Sequence, residues 1–461
     1  MTKNKREPAS FRDPSGYIFW KDNQLYRQIN LRYQSEYDLL MGSGLYQRLV
    51  DAGLLIPHRK VRVEPFDADH AYLVIHPEQI PFISYPYEWS FSQLQDAALA
   101  TLRIQKHALD YGMSLKDSSG YNIQFWKGQP VLIDTLSFEI LEEGKPWMGY
   151  RQFCQHFLAP LSLMSYKDVR LSQLLRIYLD GIPLDMASKL LPFRTRLNFS
   201  LLTHIHLHAA AQNRYAGREV DLSSPKGQIQ ERGLEEGIIS SLESSVRKLE
   251  WHPEHTAWAD YAATHSYSDT AFNRKKEIIS QYLDRLEPDS VWDLGANVGE
   301  FSRLASQRGI RTVAFDFDPG AVELNYRQCV EEGDEKLLPL LIDLTNPSPD
   351  IGWHNQERHS VYERGGAELI FALALIHHLA ITNNTPLEKI ASFLSELGDW
   401  LVIEFIPKDD PQTQQLLASR EDIFSEYSQP DFERMFQRYF HIEDVEEITG
   451  SERLLYLMKK K

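Results

Sequence analysis

The chain has 461 residues, enough for two or three domains at the usual ~100–200 residues each. An apolar fraction of 43% and a charged fraction of 25% exclude wholesale disorder, a fibrous repeat and a disulfide-framework miniprotein. Lys plus Arg number 49 against 65 Asp plus Glu, a formal charge of −16. Neutralising phosphates needs clustered cations, so nucleic acid is not the expected partner.

Two cysteines, Cys154 and Cys329, stand far apart and make neither a disulfide framework nor a cysteine-based zinc site. The opening MTKNKREPAS lacks the apolar core of a secretory signal. The longest apolar run, Leu369–Ile376, is eight residues, whereas a membrane span needs about 20. The expectation is a soluble, cytoplasmic protein without a membrane partner. Composition leaves its oligomeric state open.

Residues 1–210 read as an α+β domain. A helix is expected over Phe91–Leu109, with Leu94, Ala98 and Leu102 on one face. It leads into Ser114-Leu115-Lys116-Asp117-Ser118-Ser119-Gly120-Tyr121-Asn122, a strand pair, and Val131-Leu132-Ile133-Asp134-Thr135. The spacing Asp-x-x-x-x-Asn, followed by an apolar strand ending in Asp, resembles the protein kinase-like superfamily. That resemblance implies a base at Asp117 and Mg²⁺ ligands at Asn122 and Asp134. There are departures: Leu115-Lys116 replaces His-Arg, Asp134-Thr135-Leu136 replaces Asp-Phe-Gly, and only Gly16 stands where a glycine-rich loop is sought. Arg27 is the nearest cation to a phosphate-contacting lysine, with Glu36 as its possible partner. A degenerate scaffold that recognises a substrate or partner is expected ahead of an active phosphotransferase.

His204-x-His206-x-His208 would share a face on a strand and bind metal. The flanking Leu201-Leu202 and Ala209-Ala210-Ala211 favour a helix, which scatters the rings, so no metal site is expected. Residues 211–264 read as a linker. It begins polar, at Gln212-Asn213-Arg214 and Ser223-Ser224-Pro225-Lys226-Gly227, and ends in a helix with the stripe Ile238, Ile239, Leu242, Val246 and Leu249.

From residue 265 to Lys461, strands alternate with helices, the pattern of a parallel sheet with helices on both faces. Asp269 opens a helix with the stripe Phe272, Lys275 (stem only), Ile279, Tyr282 and Leu286. Strands are expected at Ser290–Leu294, Thr312–Asp316, Leu337–Asp343, Glu368–Leu375 and Trp400–Ile406. Helices are expected at Glu300–Arg308, from Pro319, and at Asp431–Tyr439. Ile442–Ile448 and Arg453–Met458 read as a hairpin, which puts one antiparallel strand in the sheet. Glu446-Glu447 and the Lys459–Lys461 tail read as solvated surface. Asn346-Pro347-Ser348-Pro349 reads as a loop.

The first strand ends in Asp293-Leu294-Gly295-Ala296-Asn297-Val298-Gly299 and runs into a helix. Gly295 lets the backbone turn sharply beside a ligand, and Gly299 lets the helix pack tightly. Asp316 ends the second strand, where a carboxylate accepts both hydroxyls of a ribose. Asp343 ends the third, within reach of an adenine amino group. Three acids at successive strand ends describe a nucleoside site. A dinucleotide-binding domain or a sheet that has lost its ligand is the alternative; a nicotinamide dinucleotide normally wants a third glycine, and Asp293 would repel its pyrophosphate.

The order strand-Asp-x-Gly-x-Asn-x-Gly-helix, then Val-x-x-Asp, then Ile-Asp-Leu, resembles the class I S-adenosylmethionine (SAM) dependent methyltransferases. The resemblance covers about Tyr267 to Lys461 and implies a Rossmann-like seven-stranded sheet with a C-terminal antiparallel hairpin. It sets Asp293, Gly295 and Gly299 along the methionine part of SAM, Asp316 at the ribose and Asp343 at the adenine. Asn297 stands where many members carry a middle glycine. Tyr267 and Ser268 are candidates for contact with the SAM carboxylate.

The fourth strand ends in Ile376-His377-His378-Leu379, the end that faces the methyl donor in this family. A histidine there can take a proton from an attacking hydroxyl, so His377 and His378 are both candidate bases. The expected activity is methyl transfer from SAM to an unidentified acceptor, a hydroxyl of a small molecule, protein or carbohydrate. Two alternatives stand beside it. One is a bifunctional protein that also phosphorylates through Asp117, Asn122 and Asp134. The other is a SAM-binding module without turnover.

Overall fold

The computed structural model describes residues 5–142, 144–209, 232–253, 269–418 and 421–461. The expected contacts of Tyr267 and Ser268, and the polar start of the linker, lie outside these residues. The chain forms two compact units. One comprises Met1–Trp251 with Asp350–Arg358, the other His252–Pro349 with His359–Lys461.

The first unit is built on an antiparallel sheet of β1 (Lys5–Arg6), β2 (Gly16–Lys21), β3 (Gln24–Asn30), β4 (His58–Val61) and β5 (Ala71–Pro77), ordered β1-β2-β3-β5-β4. Asp22 and Asn23 take positive φ at the β2–β3 turn, the geometry that matches strand twist in a two-residue hairpin. Two small ladders follow. β6 (Met113–Leu115) pairs with β9 (Phe138–Ile140), and β7 (Ile123–Trp126) with β8 (Gln129–Leu132).

The expected helix is present over Phe91–Asp110. Ser90 caps it by accepting from the Gln93 amide, while the Gln93 side chain accepts from the Ser90 amide. The helix Arg232–Arg247 packs beside it. Its stripe of Ile239, Leu242 and Val246, continued by Leu249, is buried. The Gln95 side-chain amide donates to the carbonyls of Val246 and Leu249, and Lys106 pairs with Glu243. This helix therefore belongs to the core of the first unit.

The second unit carries a seven-stranded sheet of β10 (Ser290–Leu294), β11 (Arg311–Asp316), β12 (Leu337–Leu341), β13 (Ala367–Ala372), β14 (Gly398–Phe405), β15 (Phe440–Glu447) and β16 (Leu454–Lys460), ordered β12-β11-β10-β13-β14-β16-β15. The first five run parallel, and β16 inserts antiparallel between β14 and β15. One sheet face, including Val291, Leu369, Phe371, Val402, Leu455 and Leu457, packs against Ile278, Ile279, Tyr282 and Leu283 of the helix Asp269–Leu286. The helix Pro319–Glu332 begins at an Asp318 side-chain cap, with proline where a missing donor costs nothing.

The strand ends differ from expectation for local reasons. β12 stops at Leu341, because the Asp343 carboxylate holds a turn by accepting from the Thr345 amide and hydroxyl. β13 stops at Ala372, because Ala374 takes φ +50°. The helix expected from Glu300 begins only at Ser302. The Lys459–Lys460 pair lies within β16, and the Lys459 ammonium sits 5.1 Å over the Trp400 ring.

Candidate functional site

A cavity of ≈ 450 Å³ opens at the carboxyl ends of β10, β11 and β13 and the turn after β12, where open α/β sheets bind ligands. Asp293, Gly295, Asn297, Asp316, Asp343 and His378 line it. Six sequence positions up to 85 residues apart (378 − 293) are thus brought to one wall.

The turn after β10 is shaped by its backbone. Gly295, Asn297 and Gly299 take φ of +77°, +51° and +83°. Asparagine is among the few side chains that enter this region readily, which accounts for Asn297 in place of a glycine. Its amide donates to Asp316 Oδ2 at 2.8 Å. The Asp318 amide donates to Asp316 Oδ1, also at 2.8 Å. The carboxylate is thereby fixed in orientation, and each oxygen retains acceptor capacity toward the cavity. Gly299 does not line the cavity; a Cβ there would fall 2.5 Å from Asn325 Oδ1. Its role is the close approach of turn and helix.

Asp293 is buried and accepts from the Ser302 hydroxyl at 2.6 Å. Burial pushes its carboxyl up to about 6, against the Ser302 hydrogen bond and the Lys275 charge. Burial likewise pushes Asp316 up to about 6, against the amides that donate to it. Asp343 is exposed and held in its own turn. The wall is therefore two costly buried carboxylates and one solvated one, an arrangement that a cationic ligand relieves.

The two histidines separate. His378 lines the cavity, and burial lowers its ring to about 4, so it is neutral at pH 7. His377 is fully buried behind the wall, with neither ring nitrogen hydrogen-bonded. Burial first, then the neighbouring His378 ring and the Arg453 and Lys275 charges, hold it well below the usual range.

The sequence reading missed the floor of the site. Lys275, assigned there as an apolar stem, is 1% exposed and donates to Glu404 Oε2 at 2.6 Å. Glu404 Oε2 also accepts from the Ala374 amide at 2.8 Å. Arg453 adds a contact to Glu404 at 3.5 Å and a two-pronged pair with Asp410 at 2.7 and 3.1 Å. The Lys275 ammonium also lies 4.3 Å over the Phe301 ring. Glu404 is an acid within the otherwise apolar run Trp400–Ile406, the one signal that marked a buried partner.

In the first unit, Asp134 pairs with Arg27 at 2.7 Å and accepts from the Leu136 amide at the same distance. Burial raises its carboxyl against the Arg27 charge, with Asp117 and Asp13 adding to the rise. Asn122 donates to the Ser137 hydroxyl at 3.4 Å, and the Asp117 amide to the Ser137 carbonyl at 3.4 Å. The expected Arg27–Glu36 pairing is replaced by Arg27–Asp134. Gly16 is required by packing, since a Cβ there would fall 2.2 Å from the Gln28 carbonyl. His204 and His206 lie in a π-helical turn, as a helix reading requires. His204 bonds the hydroxyls of Tyr150 and Ser241, and His206 those of Ser188 and Thr195, so their ring nitrogens are used within the protein.

No family model matches the chain. It is 34% identical over 463 aligned positions to the nodulation protein NoeA of Rhizobium meliloti (strain 1021), covering 99% of this chain and 96% of the relative. Among solved structures it is similar to the bifunctional kinase-methyltransferase WbdD, at 16% identity and a TM-score of 0.30. That match covers 45% of this chain and 43% of WbdD, so the chain spans under half of that neighbour's length. It is also similar to magnesium protoporphyrin IX methyltransferase (ChlM) from Synechocystis PCC 6803 with bound S-adenosylhomocysteine, at 16% identity and a TM-score of 0.30, over 41% of this chain and 84% of that one.

Proposed function

The chain belongs to the family of the nodulation protein NoeA, and we propose, from the site geometry, that its second unit is a SAM-dependent methyltransferase acting on a hydroxyl. The reading rests above all on one observation. Asp293 and Asp316, both buried and both raised to about 6, face one cavity across a small-residue turn. The residues fit the cofactor. The volume is within the ~300–1,000 Å³ of small-molecule sites, and an excess of carboxylate suits a sulfonium. Bound there, SAM supplies an electrophilic methyl group on a cationic sulfur.

The chain's own residues then have distinct tasks. Asp316, held by the amides of Asn297 and Asp318, accepts from the ribose hydroxyls. Asp343 accepts from the adenine amino group. Asp293, with Gly295 and the turn, flanks the methionine part. His378, a neutral imidazole in the wall, takes the proton of the acceptor hydroxyl onto its ring nitrogen. His377 is sealed from the cavity and stays outside the proposed machinery. We carry nodulation, the process in the relative's name, to this chain as the setting of the reaction.

Calorimetry with SAM on the wild type and Asp316→Ala tests the cofactor site. Loss of two charge-assisted hydrogen bonds at ~1.5–3 kcal/mol each should weaken binding by about 100-fold or more. Equal affinity in both proteins removes Asp316 from the site. Labelled-methyl transfer into cell extract then separates an enzyme from a SAM-binding module without turnover.

A second reading is supported by the grouping of Asp117, Asn122 and Asp134 in the first unit, which is compatible with a kinase-like, ATP-dependent phosphotransferase. Arg27 neutralises Asp134, so metal binding there would have to displace a partly buried ion pair. Magnesium-dependent ATP binding that Asp134→Ala abolishes would support this reading; its absence in the wild type rejects it.

A further inference from the structure

Among the described residues, one segment of the first unit leaves three large apolar side chains mostly exposed. Phe193, Leu197 and Phe199 are 74%, 80% and 79% exposed within seven residues. Scattered exposed leucines need no explanation, but three large apolar side chains so exposed within seven residues do.

The corner is held firmly from beneath. Thr195, between the exposed positions, is fully buried. Its hydroxyl donates to the Pro192 carbonyl at 2.7 Å, which leaves it to accept from His206 Nε2 at 2.9 Å. His206 Nδ1 then accepts from the Ser188 hydroxyl at 2.8 Å. Asn198 caps the next helical turn by accepting from the amides of Ser200 and Leu201. The backbone is pinned, and the apolar side chains project from it.

The charge around the corner is opposite to that of the molecule. Across Pro192–Ser200 there are two cations, Arg194 and Arg196, and no acid, in a chain of net charge −16, while Lys189 upstream is paired with Asp185 at 3.1 Å. Arg194 and Arg196 are exposed, and among the described residues neither is paired with a carboxylate. The Arg196 guanidinium lies 5.9 Å from the centre of the Phe193 ring. Aromatic and leucine side chains at the tip, with arginines at their flanks, match the boundary between acyl chains and anionic headgroups.

We propose that the Phe193–Phe199 corner docks the protein peripherally on an anionic lipid bilayer. Among the described residues no helix is long and apolar enough to cross a membrane, and a peripheral contact requires none. The contact belongs to the first unit and is independent of the methyl-transfer reading.

The test is co-sedimentation of the full chain with phosphatidylcholine vesicles, with and without a minority of phosphatidylglycerol. The wild type should partition onto the anionic vesicles, and Phe193→Ser/Leu197→Ser/Phe199→Ser should lower the partition coefficient by about tenfold or more. Arg194→Gln/Arg196→Gln should weaken it and flatten its salt dependence. In Phe193→Trp, indole emission should shift to the blue when anionic vesicles are added. All three positions are exposed, so circular dichroism should be unchanged. No partition by the wild type, or partition untouched by the triple substitution, overturns the proposal. So does a concentration-dependent dimer in sedimentation velocity that the triple substitution abolishes, since the corner would then bind a second copy.

Discussion

Asn297 shows how one residue serves both fold and site. Its αL conformation closes the turn after β10, and its amide orients the Asp316 carboxylate. The same scale separates the two adjacent histidines, which sequence alone offers as equivalent candidates. Only His378 has a surface on the cavity. A general base typically contributes about 10²–10⁴-fold. His378→Gln should therefore lower kcat for methyl transfer by about that factor and leave SAM affinity within about threefold, because the residue bears on the acceptor. Steady-state kinetics beside calorimetry would show it. An unchanged kcat would remove His378 from the proposed chemistry.

At the scale of elements, the buried cluster of Lys275, Glu404, Arg453 and Asp410 ties the helix Asp269–Leu286 to β14 and the loop before β16. Glu404 also grips the Ala374 amide, which fixes the corner after β13 that lines the cavity. Removing one member leaves the others buried with unbalanced charge. Lys275→Met should cost about 3–5 kcal/mol of stability. Denaturant unfolding measures this, and a cost below about 1 kcal/mol would show that Arg453 alone suffices for Glu404. Strand and helix order in this unit was legible because alternation of apolar segments and turn residues is local. The element ends moved where a single contact intervened, as at Asp343 and Ala374. The ion cluster was not legible, because lysine at position 275 fits an amphipathic helix equally well with its ammonium in water.

For the whole molecule, pH couples ligand to fold. Asp293 and Asp316 are raised from 3.8 to about 6 on burial. The native state therefore holds protons that the unfolded chain has released between those values. Their contribution to stability is present below about 4 and is lost as pH rises through about 6, by about 3 kcal/mol per group from a shift of about two units. A cationic ligand acts with the opposite sign, since it binds the ionised pair. SAM should bind more tightly at pH 7.5 than at pH 5, and its thermal upshift should be larger at the higher pH. Thermal unfolding with and without SAM at both values checks this. An upshift that is greater at pH 5 would contradict an ionised cradle.

The amino-acid sequence by itself determined the alternation of strands and helices in the second unit, the glycine-shaped turn and the acids at successive strand ends. These follow from periodicity, backbone freedom and the rule that ligands gather at strand carboxyl ends. Its resemblance to the kinase-like superfamily also singled out Asp117, Asn122 and Asp134. Tertiary structure alone decided that Arg27 occupies Asp134, that His377 is shut away from the cavity, that Lys275 is spent on Glu404, and that Phe193, Leu197 and Phe199 face outward. Each of these depends on which distant segment packs against a side chain, and that segment sets the local dielectric and the available partners. Spacing along the chain carries no record of either.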